Sequence, residues 1–211
     1  MLSLLSTGAE FWSTVCFTFS RIAIGFFSGL IVGTLLAVAA GRFRAVELLL
    51  YPYVVTVKSV PVASFVILAL IWLTSSKLAA FVSFLMVFPV IYNNLLEGIR
   101  AVDRQVLEMA RVFRVPLYKR LKHIWLPELK SHIVSACGIS LGLAWKSGVA
   151  AELIGYPDGS LGEKLYYSKV YFDTSELFAW TVFIIIFSVS FEKLFMFALK
   201  KLLRSNGKNK A

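Results

Sequence analysis

Apolar residues in this chain gather in long, nearly uncharged runs separated by short polar breaks. Ile22 to Ala40 carries no charged side chain, and Gly41, Arg42 and Arg44 end it. A second run extends from Ser59 to Ser76, with Lys58 before it and Pro61 in its first turn, where proline is tolerated. The third, Leu78 to Leu96, contains Pro89, which removes one backbone bond and predicts a kink. Ile133 to Ala151, interrupted by Lys146, and Leu177 to Leu199, with Glu192 and Lys193 near its end, complete the set. Each run is about 20 residues, the length a helix needs to cross a hydrocarbon core of ~30 Å. The pattern predicts an all-α integral membrane protein of five transmembrane helices. It forms a single transmembrane domain over residues 1–203, followed by a short polar tail over 204–211.

Between the runs, smaller signals add detail. Phe11, Trp12, Phe17 and Phe19 precede the first span, and the first basic residue is Arg21. A cleaved signal peptide needs a positive start, so an interfacial helix leading into the membrane is expected instead. Gly25, Gly29 and Gly33 recur every four residues. Such a small-residue stripe admits close approach of another helix, from the same chain or a second copy. Residues 152–176 read as an acidic loop around the turn signal Tyr156-Pro157-Asp158-Gly159-Ser160.

Composition supports the membrane reading. Hydrophobic residues make up 58% of the 211 and charged residues 16%, with a mean hydropathy of +0.77. Soluble domains average roughly 45–50% and about 25%, so soluble globular, disordered and disulfide-rich classes are excluded. A net charge of +10 would suit nucleic acid, but the basic residues concentrate in 41–58, 97–132 and 192–211. The acidic residues show no such bias. That is how Lys and Arg mark cytoplasmic segments, and no nucleic-acid partner is expected. The orientation follows: N-terminus outside, C-terminus cytoplasmic, with Ser160 reachable from outside and Lys119 from inside. Cys16 and Cys137 form no CxxC or Cys/His cluster, so no metal site is expected. The topology sets them near opposite faces, where they serve as apolar fillers.

The polar segment 103–130 is too long for a plain connection. Val106, Ala110 and Phe113 form an apolar helical stripe that Asp103 can cap, and Val115-Pro116 breaks it. A second short helix places Leu117, Leu121, Ile124 and Trp125 on one face and Tyr118, Lys119, Arg120 and Lys122 on much of the other. Leu126-Pro127 ends it, and Pro127 can start the next helix. This bent amphipathic element suits docking to another protein or lying on anionic lipid.

The order Glu108-Met109-Ala110, Arg114, Ile124-Trp125-Leu126-Pro127 resembles the EAA loop of bacterial ABC import permeases. That pattern is Glu-Ala-Ala, three residues, Gly, nine residues, Ile-x-Leu-Pro. Met109 stands where Ala is usual and Arg114 where Gly is usual; a Gly would ease a sharp turn, and Pro116 is the available substitute. Ser20-Arg21 with Gly25, Lys58-Ser59-Val60-Pro61, Phe88-Pro89, Glu97-Gly98, Trp145, Ala151-Glu152 and Gly159-Ser160-Leu161-Gly162 are similar to the nitrate/sulfonate/taurine-type branch. Members of that branch commonly carry one more N-terminal membrane helix than the five counted here.

The resemblance implies a multi-pass permease subunit of the bacterial cell membrane, in contact with membrane lipid. Its implied partners are two ABC ATPase subunits, a second permease copy in a homodimer, and an extracytoplasmic substrate-binding protein. The coupling loop, residues 100–130, would meet the ATPase through Glu108, Met109, Ala110, Phe113, Arg114, Val115, Pro116, Leu117, Tyr118, Ile124, Leu126 and Pro127. No Gly-x-x-x-x-Gly-Lys-Ser/Thr occurs. ATP and Mg therefore belong to the partner ATPase subunits, and no cofactor is expected in this chain. The solute stays open among nitrate, sulfonates, taurine and pyrimidine-like precursors.

Lys146 and Glu152 are the charges in the outer part of the fourth span. Intramembrane ionisable groups are functional candidates. Both are candidates for the solute pathway, with Lys146 attracting an anion or snorkelling to the interface. Six residues apart, they do not pair on an ideal helix. An enzyme is the rival class, but His123 and His132 lie in the polar segment, and Lys146 with Ser140 or Ser147 is a poor catalytic set. No catalytic residue is expected. A second rival is the transmembrane scaffold of an energy-coupling factor type vitamin importer. It would copurify as one copy with a different membrane partner, rather than as two identical permeases.

Overall fold

The computed structural model describes residues 8–205. Residues 206–211, most of the expected polar tail, fall outside it, as do residues 1–7. Among the described residues the chain is helical throughout, with no strand.

Helix α1, Gly8–Arg42, is unbroken over 35 residues. At about 1.5 Å per residue it overshoots a ~30 Å hydrocarbon core. The separate interfacial helix expected before Ile22 is thus simply the first part of α1. Phe11, Val15, Thr18, Ile22 and Phe26 are all buried. Their spacing carries one helical stripe across the supposed boundary, and no Pro interrupts it.

The second apolar run departs most from expectation. Within it only the short helix α3, Val62–Ala69, forms; the helix before it, α2, Arg44–Ser59, is built from the segment 41–58 expected at the cytoplasmic side, and the two meet at a bend of 103°. Val60 and Pro61 both take extended backbone, with ψ of 132° and 135°. Proline excludes the α region from the residue before it, so Pro61 starts a new short helix instead of sitting in the first turn of a long one. Among the described residues four helices are long and apolar enough to cross a membrane, and the count reaches five if the bent pair is one span.

Helix α4, Ser75–Ala101, runs as one element through Pro89 and packs along α1. The glycine stripe makes this contact within the same chain. A Cβ on Gly25 would lie 2.4 Å from the Ala80 carbonyl oxygen, and one on Gly29 would lie 2.8 Å from Val87. The third core helix, α7, is Leu126–Gly155. Ser83 of α4 donates to the Ala144 carbonyl at 2.9 Å, and Gly148 lets α7 approach Ile22 and Ser83. Cys137 is buried in this core, whereas Cys16 is exposed and fills nothing; both are free thiols.

The segment read as an acidic loop contains a further helix, α8, Leu161–Val170. Tyr156 leaves α7 in a left-handed conformation, φ 30°, and the chain turns through Pro157 to Ser160. Ser160, expected to be accessible, is fully buried. It caps α8 by accepting from the Glu163 N–H at 3.0 Å; Asp158 and Gly159 are the exposed residues between Pro157 and Ser160. Helix α9, Thr174–Ser205, closes the bundle from its periphery. Large rings bridge it to α1: Phe11 stacks on Trp180 with centroids 5.6 Å apart, and Phe19 meets Phe191 edge-on at 4.7 Å.

Candidate functional site

The element after α4 begins as its sequence suggests. Asp103 caps α5, Arg104–Val112, by accepting from the Gln105 N–H at 2.8 Å. Ala110 is buried at 1% exposure, while Glu108 and Met109 face outward. Phe113, assigned to the same stripe as Ala110, is 75% exposed. The helix has ended by then, so the 3.6-residue period no longer governs where Phe113 points.

The ending is a Schellman motif. The Arg114 N–H donates to the Arg111 carbonyl at 3.0 Å and the Val115 N–H to the Ala110 carbonyl at 2.9 Å. Arg114 itself sits at φ 49°. This pairing satisfies the last helical carbonyls and requires a left-handed residue at the position Arg114 occupies. The sharp turn therefore lies at Arg114, and Pro116 adds an extended N-cap that launches α6, Leu117–Arg120. Val112, Phe113, Leu117 and Tyr118 remain exposed around this elbow, giving it an apolar tip.

Leu126-Pro127 does not end the second helix. A π-helical turn, Leu121–Trp125, follows α6, and the Leu126 N–H reaches back to the Leu121 carbonyl. Proline lacks an N–H and clashes with the carbonyl four residues earlier in an α-helix; the wider π-turn removes that conflict. Leu117–Gly155 is consequently one apolar helical stretch of 39 residues. Ile124 and Leu126 are half-buried along it, and Pro127 is exposed.

Two contacts brace this elbow against the bundle. Gly98 of α4 is close enough to α7 that a Cβ would lie 2.8 Å from both His132 and Leu129. Arg100, in the last turn of α4, pairs with Glu47 of α2, and Arg44 lies 3.8 Å from the same carboxylate. Sequence reasoning did not single out this pair, because its two members are far apart in the chain.

The two intramembrane charges part company. Lys146 is exposed and, among the described residues, makes no ion pair. Ile139 and Leu143 share its open side, and a Cβ on Gly142, one turn earlier, would meet nothing within 4 Å. Glu152, considered alongside Lys146 for the pathway, has 0% exposure. Its Oε2 accepts from the Thr18 hydroxyl at 2.7 Å, facing the core between α1 and α7. Ser140 and Ser147 are buried too, so neither pairs with Lys146 as a catalytic set would require. Among the described residues no group of three metal-ligating side chains converges.

Residues 29–206 match the family described as binding-protein-dependent transport system inner membrane component. The chain is 31% identical over 171 residues to the putative aliphatic sulfonates transport permease protein SsuC of Bacillus subtilis, covering 80% of this chain and 60% of that protein. It is 30% identical over 146 residues to the bicarbonate transport system permease protein CmpB of Synechococcus elongatus, covering 68% and 52% respectively. The match thus spans little more than half the length of either relative. A probable ABC transporter permease protein of Brucella melitensis is 29% identical over 83% of this chain and 73% of its own. Among solved structures, a chain of the MetNI methionine ABC transporter in inward facing conformations superposes with a TM-score of 0.60. The superposition covers 92% of this chain and 93% of that one at 21% identity, so the two share their fold.

Proposed function

Because the chain belongs to the binding-protein-dependent transport system inner membrane component family, we propose that it is the membrane-spanning permease of an ATP-driven bacterial importer. The elbow at 103–127 carries this reading. It offers an apolar tip of Val112, Phe113, Leu117 and Tyr118, flanked by Glu108, Met109 and Arg114, on an element continuous with α7. A tip of this kind fits a cleft on an ATPase subunit. Ala110 anchors it from within, while Ile124, Leu126 and Pro127 fix its junction with the membrane helix. ATP and Mg act in two such ATPase subunits. The elbow faces the cytoplasm, the N-terminus lies outside, and a second copy of the chain completes the pathway. An extracytoplasmic binding protein delivers the solute.

The solute class we propose is a small anion. The relatives named above carry sulfonates and bicarbonate in their names, and both are anionic near neutral pH. Lys146 lies on the side of α7 that no helix among the described residues covers, where a second copy would face it across a shared pathway. An unpaired ammonium there attracts an anion most strongly in a low-dielectric wall.

The test is reconstitution with the ATPase and binding protein. Glu108→Lys and Ala110→Asp lower uptake and ATPase stimulation by the loaded binding protein, while the bundle stays inserted. Normal assembly and uptake by both variants would remove the elbow from the coupling role. Lys146→Ala lowers anion uptake but leaves ATPase assembly intact, and Lys146→Arg retains part of the uptake. Copurification of one copy with a different membrane protein would instead favour a vitamin-importer scaffold.

A further inference from the structure

The far end of α7 holds a polar contact that the coupling reading does not use. A helix begins with four backbone N–H groups that lack intrahelical partners. Two of those on α8 are met at Ser160: its own N–H donates to the Pro157 carbonyl at 3.2 Å, and its hydroxyl accepts from the Glu163 N–H. The other two point at different helices. The Leu161 N–H donates to the Thr18 hydroxyl of α1 at 3.0 Å, and the Gly162 N–H faces the Glu152 carboxylate of α7. Thr18 in turn donates to Glu152 Oε2. Thr18, Glu152, Ser160 and Leu161 are all fully buried. A Cβ on Gly162 would lie 2.4 Å from the Glu152 Cβ and backbone carbon, so the approach of α8 to α7 at this point admits no side chain.

We infer that Thr18 and Glu152 are positioning residues that latch α8 across the end of the bundle opposite the elbow. The carboxylate suits the positive end of a helix, and Thr18 relays it to a second N–H. Glu152 Oε1 closes no hydrogen bond among the described residues, so the side-chain hydrogen bond that holds the carboxylate is the one from Thr18. Losing the Thr18 hydroxyl therefore frees two groups at once, and α8 swings from α7 while the α1–α4–α7 core stays packed. That this swing opens the outer side rests on the proposed orientation; the latch itself does not.

The test uses the full chain with Cys16→Ser and a reporter at Leu165→Cys, a buried position of α8, labelled with a small maleimide in detergent. Native Cys137, buried in the core, reports bundle integrity in the same sample. Thr18→Val and Glu152→Ala are expected to raise the labelling rate at position 165 at least tenfold with Cys137 still protected. Thr18→Ser and Glu152→Gln, which keep an acceptor oxygen, hold the rate near that of the parent. An unchanged rate in Thr18→Val overturns the latch, as does equal opening in Thr18→Ser. Exposure of Cys137 together with position 165 also overturns it, since the residues would then support the whole bundle. No ATPase, binding protein or membrane is needed, so failure of the transport reading leaves this test intact.

Discussion

Arg114 holds a backbone conformation that residues with a Cβ seldom adopt. In the left-handed region a non-glycine residue is disfavoured by about 1 kcal/mol or more, and the Schellman hydrogen bonds at Ala110 and Arg111 hold it there. Arg114→Gly should relax this and stabilise the elbow by roughly 0.5–1 kcal/mol, less the flexibility glycine adds to the unfolded chain. Arg114→Val should do the opposite. Limited proteolysis of the purified protein checks both: cleavage within 104–120 slows in the glycine variant and quickens in the valine variant. Ala110→Asp should have a larger effect, because a carboxylate forced into a site with 1% exposure costs several kcal/mol if it stays charged and unpaired. The spacing from Glu108 to Pro127 located this bend in the sequence. The residue that makes it was harder to see, because Pro116 advertises a break while a left-handed arginine has no sequence signature. Glu152 was noticed as an intramembrane charge and as part of Ala151-Glu152 in the family resemblance; its partner Thr18 lies on another helix, and no local pattern joins them.

At the scale of whole elements, the apolar runs were legible because hydropathy reports length. It does not report direction, which is why the bend between α2 and α3 escaped until the extended backbone of Val60 and Pro61 was seen. Helix α8 was hidden behind turn residues, although Ser160 followed three positions later by Glu163 is a capping signature that could have announced it. The glycine stripe was read correctly as a contact surface, and the structure places its partner in α4. Gly29→Leu should therefore separate α1 from α4, since even a Cβ would lie 2.8 Å from Val87 and overpacking typically costs 1–3 kcal/mol. The expected result is a lower yield of monodisperse protein in detergent and a lower Tm; an unchanged Tm would show that the helices can slide apart freely. The Glu47–Arg100 pair, by contrast, is half open to solvent and adds little to stability. It ties α2 to the helix that enters the elbow. Uptake should fall in Glu47→Ala and in Arg100→Ala and recover when the two charges are exchanged.

For the whole molecule, orientation is the property on which the proposed transport cycle turns. Asp158→Cys should react with a membrane-impermeant maleimide on intact cells, and Lys119→Cys only after the membrane is opened. The reverse pattern would invert the topology and place the elbow away from any ATPase. If the orientation holds, the π-turn before Pro127 acquires a mechanical meaning. By keeping Leu117–Gly155 continuous over 39 residues, it makes a lever arm of roughly 58 Å at about 1.5 Å per residue. Pivoted at its elbow, such an arm tilting by about 10° sweeps its other tip through roughly 10 Å. The tip that travels is the one bearing Glu152, so a modest rocking at the docking end is geared up at α8.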